Sequence, residues 1–242
     1  MKSRPIMFST PMIQALPYKS QTRRTRGLEI VNKHPDMWNY LGGKQGIHIF
    51  EHKDIEDYRL EIKCPYGVKG DQLWCKETYG WVEHGEESDL IYKADGHFAN
   101  EQNISKEDRF KWKSAMFMFR WMSRHLLELV EEPIPQRLWD ITEADAKAEG
   151  VEAIWASPDE ETNKALRRIG AKEVTEPYII GYKNYLYKAD KRYHYSNPHG
   201  CEFFAGTGAA VKSYASLWDL LNKSHYLWDA NPWVWKLKFR ES

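Results

Sequence analysis

The stretch NPWVWKLKFR, residues 231–240, constrains the fold more than any other part of the chain. Trp233, Trp235, Leu237 and Phe239 alternate with Val234, Lys236, Lys238 and Arg240. A period of two sends the two sets to opposite sides of an extended backbone. Asn231-Pro232 supplies the turn that starts the strand. A face of four large apolar side chains needs a packed layer beneath it, so the chain must build a β core around this segment. With 42% hydrophobic residues among 242, it has the apolar material to do so.

Other segments predict the rest of that core. Ile6, Met7 and Phe8 form a short strand. Thr10 followed by Pro11 predicts a helix opened by a hydroxyl cap with proline at its first position. Pro17 limits that helix, because it lacks an N–H and disfavours helical geometry at Leu16. The stretch YKSQTRR, residues 18–24, then reads as a turn leading into an extended segment. Gln72–Glu77 predicts a strand with Leu73, Cys75 and Glu77 on one inward face, and His125–Val130 predicts another. The clearest helix is LWDITEADAKAEGV: Thr142 and Asp145 make a capping box, Gly150 is its stop, and Glu143 and Lys147 form an i,i+4 pair. Ser213 is expected to cap a helix carrying Tyr214, Leu217, Trp218 and Leu221 at core spacing. Residues 27–63, 83–110 and 155–212 read as loop-rich insertions, the last with a charged helix near 158–168. The run WKSAMFMFRW, 112–121, reads as core. There is no internal repeat.

Charge and cysteine usage exclude several classes. Lys+Arg and Asp+Glu are equal at 35 each, so any nucleic-acid surface must come from local clustering. Cys64, Cys75 and Cys201 form no CxxC, which speaks against a zinc ribbon or a redox pair and fits reduced thiols in a cytosol. His48 and His52 are four apart but lack the glutamate of a zinc-protease motif. AGTGAA, 205–210, reads as a turn because no Walker lysine follows. No metal or cofactor site is expected. No apolar stretch is long enough to span a bilayer, and MKSRPIMFSTPMIQ has no sustained apolar run before a cleavage site. The expectation is a soluble cytoplasmic protein.

Three candidate chemistries stand beside plainer readings. Lys19 and Thr22 are three residues apart; a threonine hydroxyl becomes a nucleophile only when a base removes its proton, and a lysine can be that base only when it is neutral. The same residues also suit a solvated basic turn. Arg23, Arg24 and Arg26 suit phosphate contacts, extended by Lys236, Lys238 and Arg240, or else a solvated face. Glu149 falls in the last turn of its helix, where the macrodipole disfavours a carboxylate by about 0.3–1 kcal/mol. It reads either as an exposed, tolerated glutamate or as a carboxylate kept for acid/base work.

The order and content of RPIMFSTPMIQA, YKSQTRR, CPYGVKGDQLWCKETY, FRWMSR, RLWDITEADAKAEGV and LWDANPWVWKLKF resemble the ASCH domain of the PUA-like superfamily, in the expanded form found in bacteriophages and prophages. The resemblance implies one α+β domain over 1–242: a PUA-like small mixed β-barrel with flanking helices and long loop-rich insertions. One ASCH branch comprises bacterial amidohydrolases of N4-acetylcytidine. In it a lysine deprotonates a threonine three residues on, the threonine attacks the acyl carbon, and a glutamate late in a Thr-Glu-opened helix assists proton transfer without a metal. Those residues match Lys19, Thr22 and Glu149. Arg23, Arg24, Arg26 and Glu77 are the accompanying candidates for binding a modified nucleoside or RNA. Ser20 departs from the threonine usual after the lysine, and Pro17 tightens the preceding turn. Other ASCH proteins are credited with RNA binding or RNA cleavage. The expectations are therefore an acylated-cytidine amidohydrolase, an RNA or modified-nucleotide reader without turnover, or a ribonuclease. For a phage-encoded chain, the cytoplasm would be that of the bacterial host.

Overall fold

Trp233–Glu241 is a strand, as its alternation requires. The computed structural model describes residues 1–84, 87–96, 111–186, 202–222 and 226–242. In chain order the elements are β1 (Ser3–Met7), α1 (Thr10–Gln14), β2 (Gln21–Arg24), β3 (Trp38–Lys44), β4 (Ile47–His52), β5 (Arg59–Lys63), β6 (Gln72–Lys76), β7 (Tyr79–His84) and β8 (Glu87–Tyr92). They continue as β9 (Leu126–Leu129), β10 (Ile134–Arg137), α2 (Glu143–Ala148), β11 (Ala153–Ala156), α3 (Glu160–Arg168) and β12 (Tyr178–Lys183). The remainder are β13 (Phe203–Phe204), α4 (Ala209–Leu221) and β14 (Trp233–Glu241). The elements fall into two units: Met1–Arg137 with Trp233–Ser242, and Leu138–Pro232. The fold is strand-rich and mixed, with few helices.

The first unit is organised by β14. Its nine residues are long enough to serve three partners: β10 along Trp233–Lys236, β2 along Trp235–Lys238 and β9 along Phe239–Glu241, all antiparallel. The path continues through β6 to β1, which pairs in parallel with β6, and the sheet is curled into a half-barrel. Trp233, Trp235, Leu237 and Phe239 face its interior beside Ile6, Phe8, Leu73, Cys75, Leu127 and Leu129. Each fully buried side chain of this kind contributes roughly 1.5–3 kcal/mol. Cys64 and Cys75 are free, and burial pushes their thiols up to about 11 and about 12. The basic face of β14 is partly committed to ion pairs: Lys238 meets Glu131 at 2.9 Å and Arg240 meets Glu128 at 2.8 Å, while Val234 on that face is fully buried.

Several expectations are corrected. Residues 27–63 are not loop-rich: β3, β4 and β5 form an antiparallel sheet, and Leu28, Val31, Trp38, Phe50 and Ile62 join the core. Hydropathy hides this sheet because β4 buries His48 and leaves Ile47 exposed, and because a register shift interrupts β3 between Tyr40 and Gly42. Within 83–110, β8 pairs antiparallel with β7; 85–86 and 97–110 lie outside the described residues. The cap of α1 is Ser9, with Thr10 and Pro11 already helical. The run 112–121 is not core. It makes 3-10 turns at Ala115–Phe117 and Arg120–Met122, which bury Met118 and Met122 but turn Met116, Phe117, Phe119 and Trp121 outward.

In the second unit β11, β12 and β13 form an antiparallel sheet where a loop was expected, and α3 stands where the charged helix was expected; 187–201, with Cys201, lie outside the described residues. The capping box of Thr142 and Asp145 opens α2. Glu143 does not pair with Lys147. Its carboxylate accepts from Ala210 N at 3.3 Å and Val211 N at 3.4 Å, at the start of α4, while the Lys147 ammonium lies 5.7 Å from the Tyr182 ring centre. An anion at a helix N-terminus satisfies otherwise orphaned N–H groups. It explains why α4 begins at Ala209, after Gly208, and not at Ser213: that residue sits inside the helix and donates to Lys183 O at 2.7 Å. Tyr214, Leu217 and Trp218 are buried, whereas Leu221 is exposed. Among the described residues no helix is long and apolar enough to cross a membrane.

Candidate functional site

The segment YKSQTRR is not a solvated turn. A 3-10 turn at Leu16–Tyr18 delivers the chain to Lys19, whose backbone is extended (φ −99°, ψ 123°), and Gln21–Arg24 then enters the sheet as β2. Its register against β14 puts Thr22 opposite Leu237 and Arg24 opposite Trp235, with Gln21 and Arg23 opposite Lys238 and Lys236. Cross-strand partners share a face, so Thr22 lies on the core side. The relative exposure of Lys19 is 5% and of Thr22 1%; Gln21 and Arg23 are buried as well. Lysine and arginine are rarely buried unless engaged by other groups, and Lys19, Gln21 and Arg23 are each engaged.

The three arginines are not one phosphate-binding patch, because strand alternation separates them. Arg23 lies on the Lys236 face, away from the core side, yet is buried there: with the Gln136 amide oriented to accept, its oxygen lies 3.2 Å from Arg23 Nε and 3.1 Å from Nη2. Arg24 donates from Nη2 to Met7 O at 3.0 Å and lies 5.0 Å from the Phe8 ring centre, which ties β2 to β1. Arg26 is exposed, and its carbonyl accepts from Trp235 Nε1 at 3.0 Å.

Glu149 belongs to the second unit, Lys19 and Thr22 to the first. Glu149 is the C-cap of α2 (φ −71°, ψ −8°), not a residue of its last turn, and its N–H donates to Asp145 O at 2.9 Å. It is not the exposed, tolerated glutamate of the plainer reading: its exposure is 3%, and it too is engaged by neighbouring groups. Asp145 spends one carboxylate oxygen on the other end of the helix, accepting from Thr142 N.

Glu77 turns inward as the strand parity requires, and its carboxylate is occupied. Arg124 Nε donates to Oε1 at 2.9 Å and Nη2 to Oε2 at 3.0 Å. Arg124 also donates to Asp95 at 2.9 Å and lies 4.0 Å from the Tyr92 ring centre. This fork uses one lone pair on each carboxylate oxygen. His48 and His52 serve packing. The Tyr40 hydroxyl lies 3.0 Å from His48 Nδ1, the His48 ring meets Trp235 edge-on at 4.8 Å, and burial holds the His48 pKa below its usual value against the opposing charge of Glu132. Among the described residues no group of three or more His, Cys, Asp or Glu is arranged to hold a metal ion.

Sequence reasoning missed Gln21, Gln136 and Arg124. Parity gave no sign of Gln21, which alternates with core-side Thr22; Gln136, on β10, and Arg124, in the segment before β9, are recruited from distant chain and leave no local signal. No family model, curated protein or solved structure matches the chain.

Proposed function

We propose that this protein is a metal-free amidohydrolase that removes the acyl group from an N4-acylated cytidine or a related modified nucleobase, on an ASCH-type, PUA-like fold, in the cytoplasm. The observation that carries the reading is the burial of Lys19, Thr22 and Glu149, three groups that a purely structural surface would leave in water. Burying polar and charged side chains is costly unless they are paired, so their burial calls for a reason beyond solvation. The curled half-barrel supports the fold assignment.

In this mechanism neutral Lys19 Nζ takes the proton of Thr22 Oγ1, and Oγ1 attacks the acyl carbon. As the carbon–N4 bond breaks, the Lys19 ammonium hands its proton to the departing amine by way of the Glu149 carboxylate, which leaves Lys19 neutral again. Lys19 then takes a proton from water, the hydroxide attacks the threonine ester, and Lys19 returns that proton to Thr22 Oγ1 as the ester bond breaks and the carboxylic acid leaves. The test is incubation with N4-acetylcytidine and chromatographic detection of cytidine. Thr22→Ala should abolish release, Thr22→Ser should keep part of it, and Glu149→Gln should lose much of kcat. Lys19→Arg should be as damaging as Lys19→Ala, because guanidinium does not give up its proton near neutral pH. An undiminished rate in Lys19→Arg overturns the base assignment. Folded wild-type protein that releases no cytidine overturns the whole reading and favours a modified-nucleotide reader without turnover.

A further inference from the structure

Exposed apolar bulk is concentrated in one short segment of the first unit. Met116, Phe117, Phe119 and Trp121 have relative exposures of 62%, 65%, 65% and 70%. Contiguous apolar surface of this kind marks an interaction site when it is held rigidly and rimmed by polar groups. Both conditions hold. Met118 and Met122 anchor the segment in a small core with Tyr79. Glu77 N–H donates to Met118 Sδ at 3.2 Å, Tyr79 Oη donates to Phe117 O at 3.2 Å, and Tyr92 Oη donates to Met122 O at 2.6 Å. Lys76 Nζ donates to Met116 O. The outward rings are therefore presented on a fixed frame, and little ordering entropy is lost when a ligand meets them.

The segment's own charged residues are all cationic. Residues 111–124 carry Lys111, Lys113, Arg120 and Arg124 and no carboxylate. Arg124 is consumed by Glu77 and Asp95, while Lys111, Lys113 and Arg120 are exposed. Phe117, Phe119, Lys76 and Lys113 line an open depression of about 570 Å³. Aromatic faces interleaved with cations are the chemistry that takes unpaired bases and their phosphates.

We infer that this segment is a docking platform for single-stranded RNA: Phe117, Phe119 and Trp121 stack bases, and Lys111, Lys113 and Arg120 meet phosphates. The stacking and charge argument stands on these residues alone; the choice of RNA rests on the ribonucleoside reading above. The platform shares no residue with Lys19, Thr22 and Glu149, so it would hold a polymer while those residues act on its modified base.

The test is fluorescence anisotropy with a labelled oligocytidylate RNA of about a dozen nucleotides, within the ~4–16-nucleotide range of single-strand sites. Phe117→Ala and Trp121→Ala should each weaken binding roughly 5- to 150-fold, the loss expected for one stacked base. Lys113→Gln should lower the log–log salt slope by about 0.7. These side chains are exposed, so unchanged melting of the variants checks the fold. Hydrolysis of free N4-acetylcytidine should be unaffected by Phe117→Ala, which separates this platform from the hydrolase reading. Binding that survives both aromatic substitutions overturns the proposal. So does duplex RNA binding as tightly as single-stranded RNA, or attachment to anionic phosphatidylserine vesicles in place of RNA. Should an aromatic variant melt early, the Lys113→Gln salt slope decides alone, and an unchanged slope counts against the platform.

Discussion

Replacing Arg124 by methionine should destabilise the first unit by up to about 3–5 kcal/mol, the cost of removing one partner from a fully buried ion pair, reduced because the Arg124 side chain is 31% exposed. The Glu77 side chain is 1% exposed, and both its oxygens are taken by the Arg124 fork. Methionine keeps much of the arginine stem's volume but leaves that carboxylate buried and uncompensated. Two smaller losses accompany it. The Asp95 contact is partly exposed and contributes about 0–1 kcal/mol, and the arginine–Tyr92 contact about 0.5–1 kcal/mol. The pair therefore dominates. Glu77→Met combined with Arg124→Met removes both charges at once and should recover most of the loss, since apolar replacement of a whole buried pair is often close to neutral. Urea titrations followed by tryptophan fluorescence on the wild type, both single variants and the double variant give the coupling energy directly. Glu77 is a structural anchor only if that coupling is large. A loss under about 1 kcal/mol in Arg124→Met, or a double variant no more stable than the single, would refute the argument and reopen Glu77 as a ligand-binding carboxylate.

Two further outcomes follow from the loop that precedes β6. Burial alone would raise the Asp71 pKa, but hydrogen bonds from Arg4 and from the backbone of Lys2 and Val68 hold it below the usual carboxylate value. Its contribution to stability is thus complete above the unfolded value near about 3.9 and is lost as pH falls through the lower folded value, so Asp71→Asn should flatten the acid limb of a stability–pH curve. Gly67 has φ +107°, and a Cβ there would meet Arg4 Nη1 at 2.2 Å and Asp71 Oδ2 at 2.5 Å. Gly67→Ala should cost about 1–3 kcal/mol of strain, seen as a lower melting temperature.

How legible the fold is from sequence depended on how local its cause is. β14 could be read because its alternation places four large residues on one face, and α2 because its capping box is a three-residue motif. The segment into β2 could be read because Pro17 limits what precedes it. β3–β5 could not, since the strand that buries His48 and exposes Ile47 inverts the hydropathy signal. The Met/Phe run was misread because apolar content alone does not reveal 3-10 turns that face half of it outward. For the candidate site, the residue types of Lys19, Thr22 and Glu149 were visible but their burial was not. Burial of a polar group is conferred by distant chain, as Gln136 does for Arg23 and Arg124 for Glu77, and a local window holds no trace of it.

The position of β14 in the chain has a consequence for synthesis. β2, β9 and β10 all wait for a strand that is translated only after the whole of Leu138–Pro232. At about 5–20 residues per second that interval is on the order of 5–20 seconds. Throughout it the nascent first unit lacks Trp233, Trp235, Leu237 and Phe239, and the edges those strands will offer to β14 have no partner. The Leu138–Pro232 unit, by contrast, is continuous and emerges complete before the first unit can close. The ribosome therefore releases the later-encoded unit ready to fold while the earlier one is still open. That interval is when a chaperone holding strand edges would matter most to the yield of folded protein.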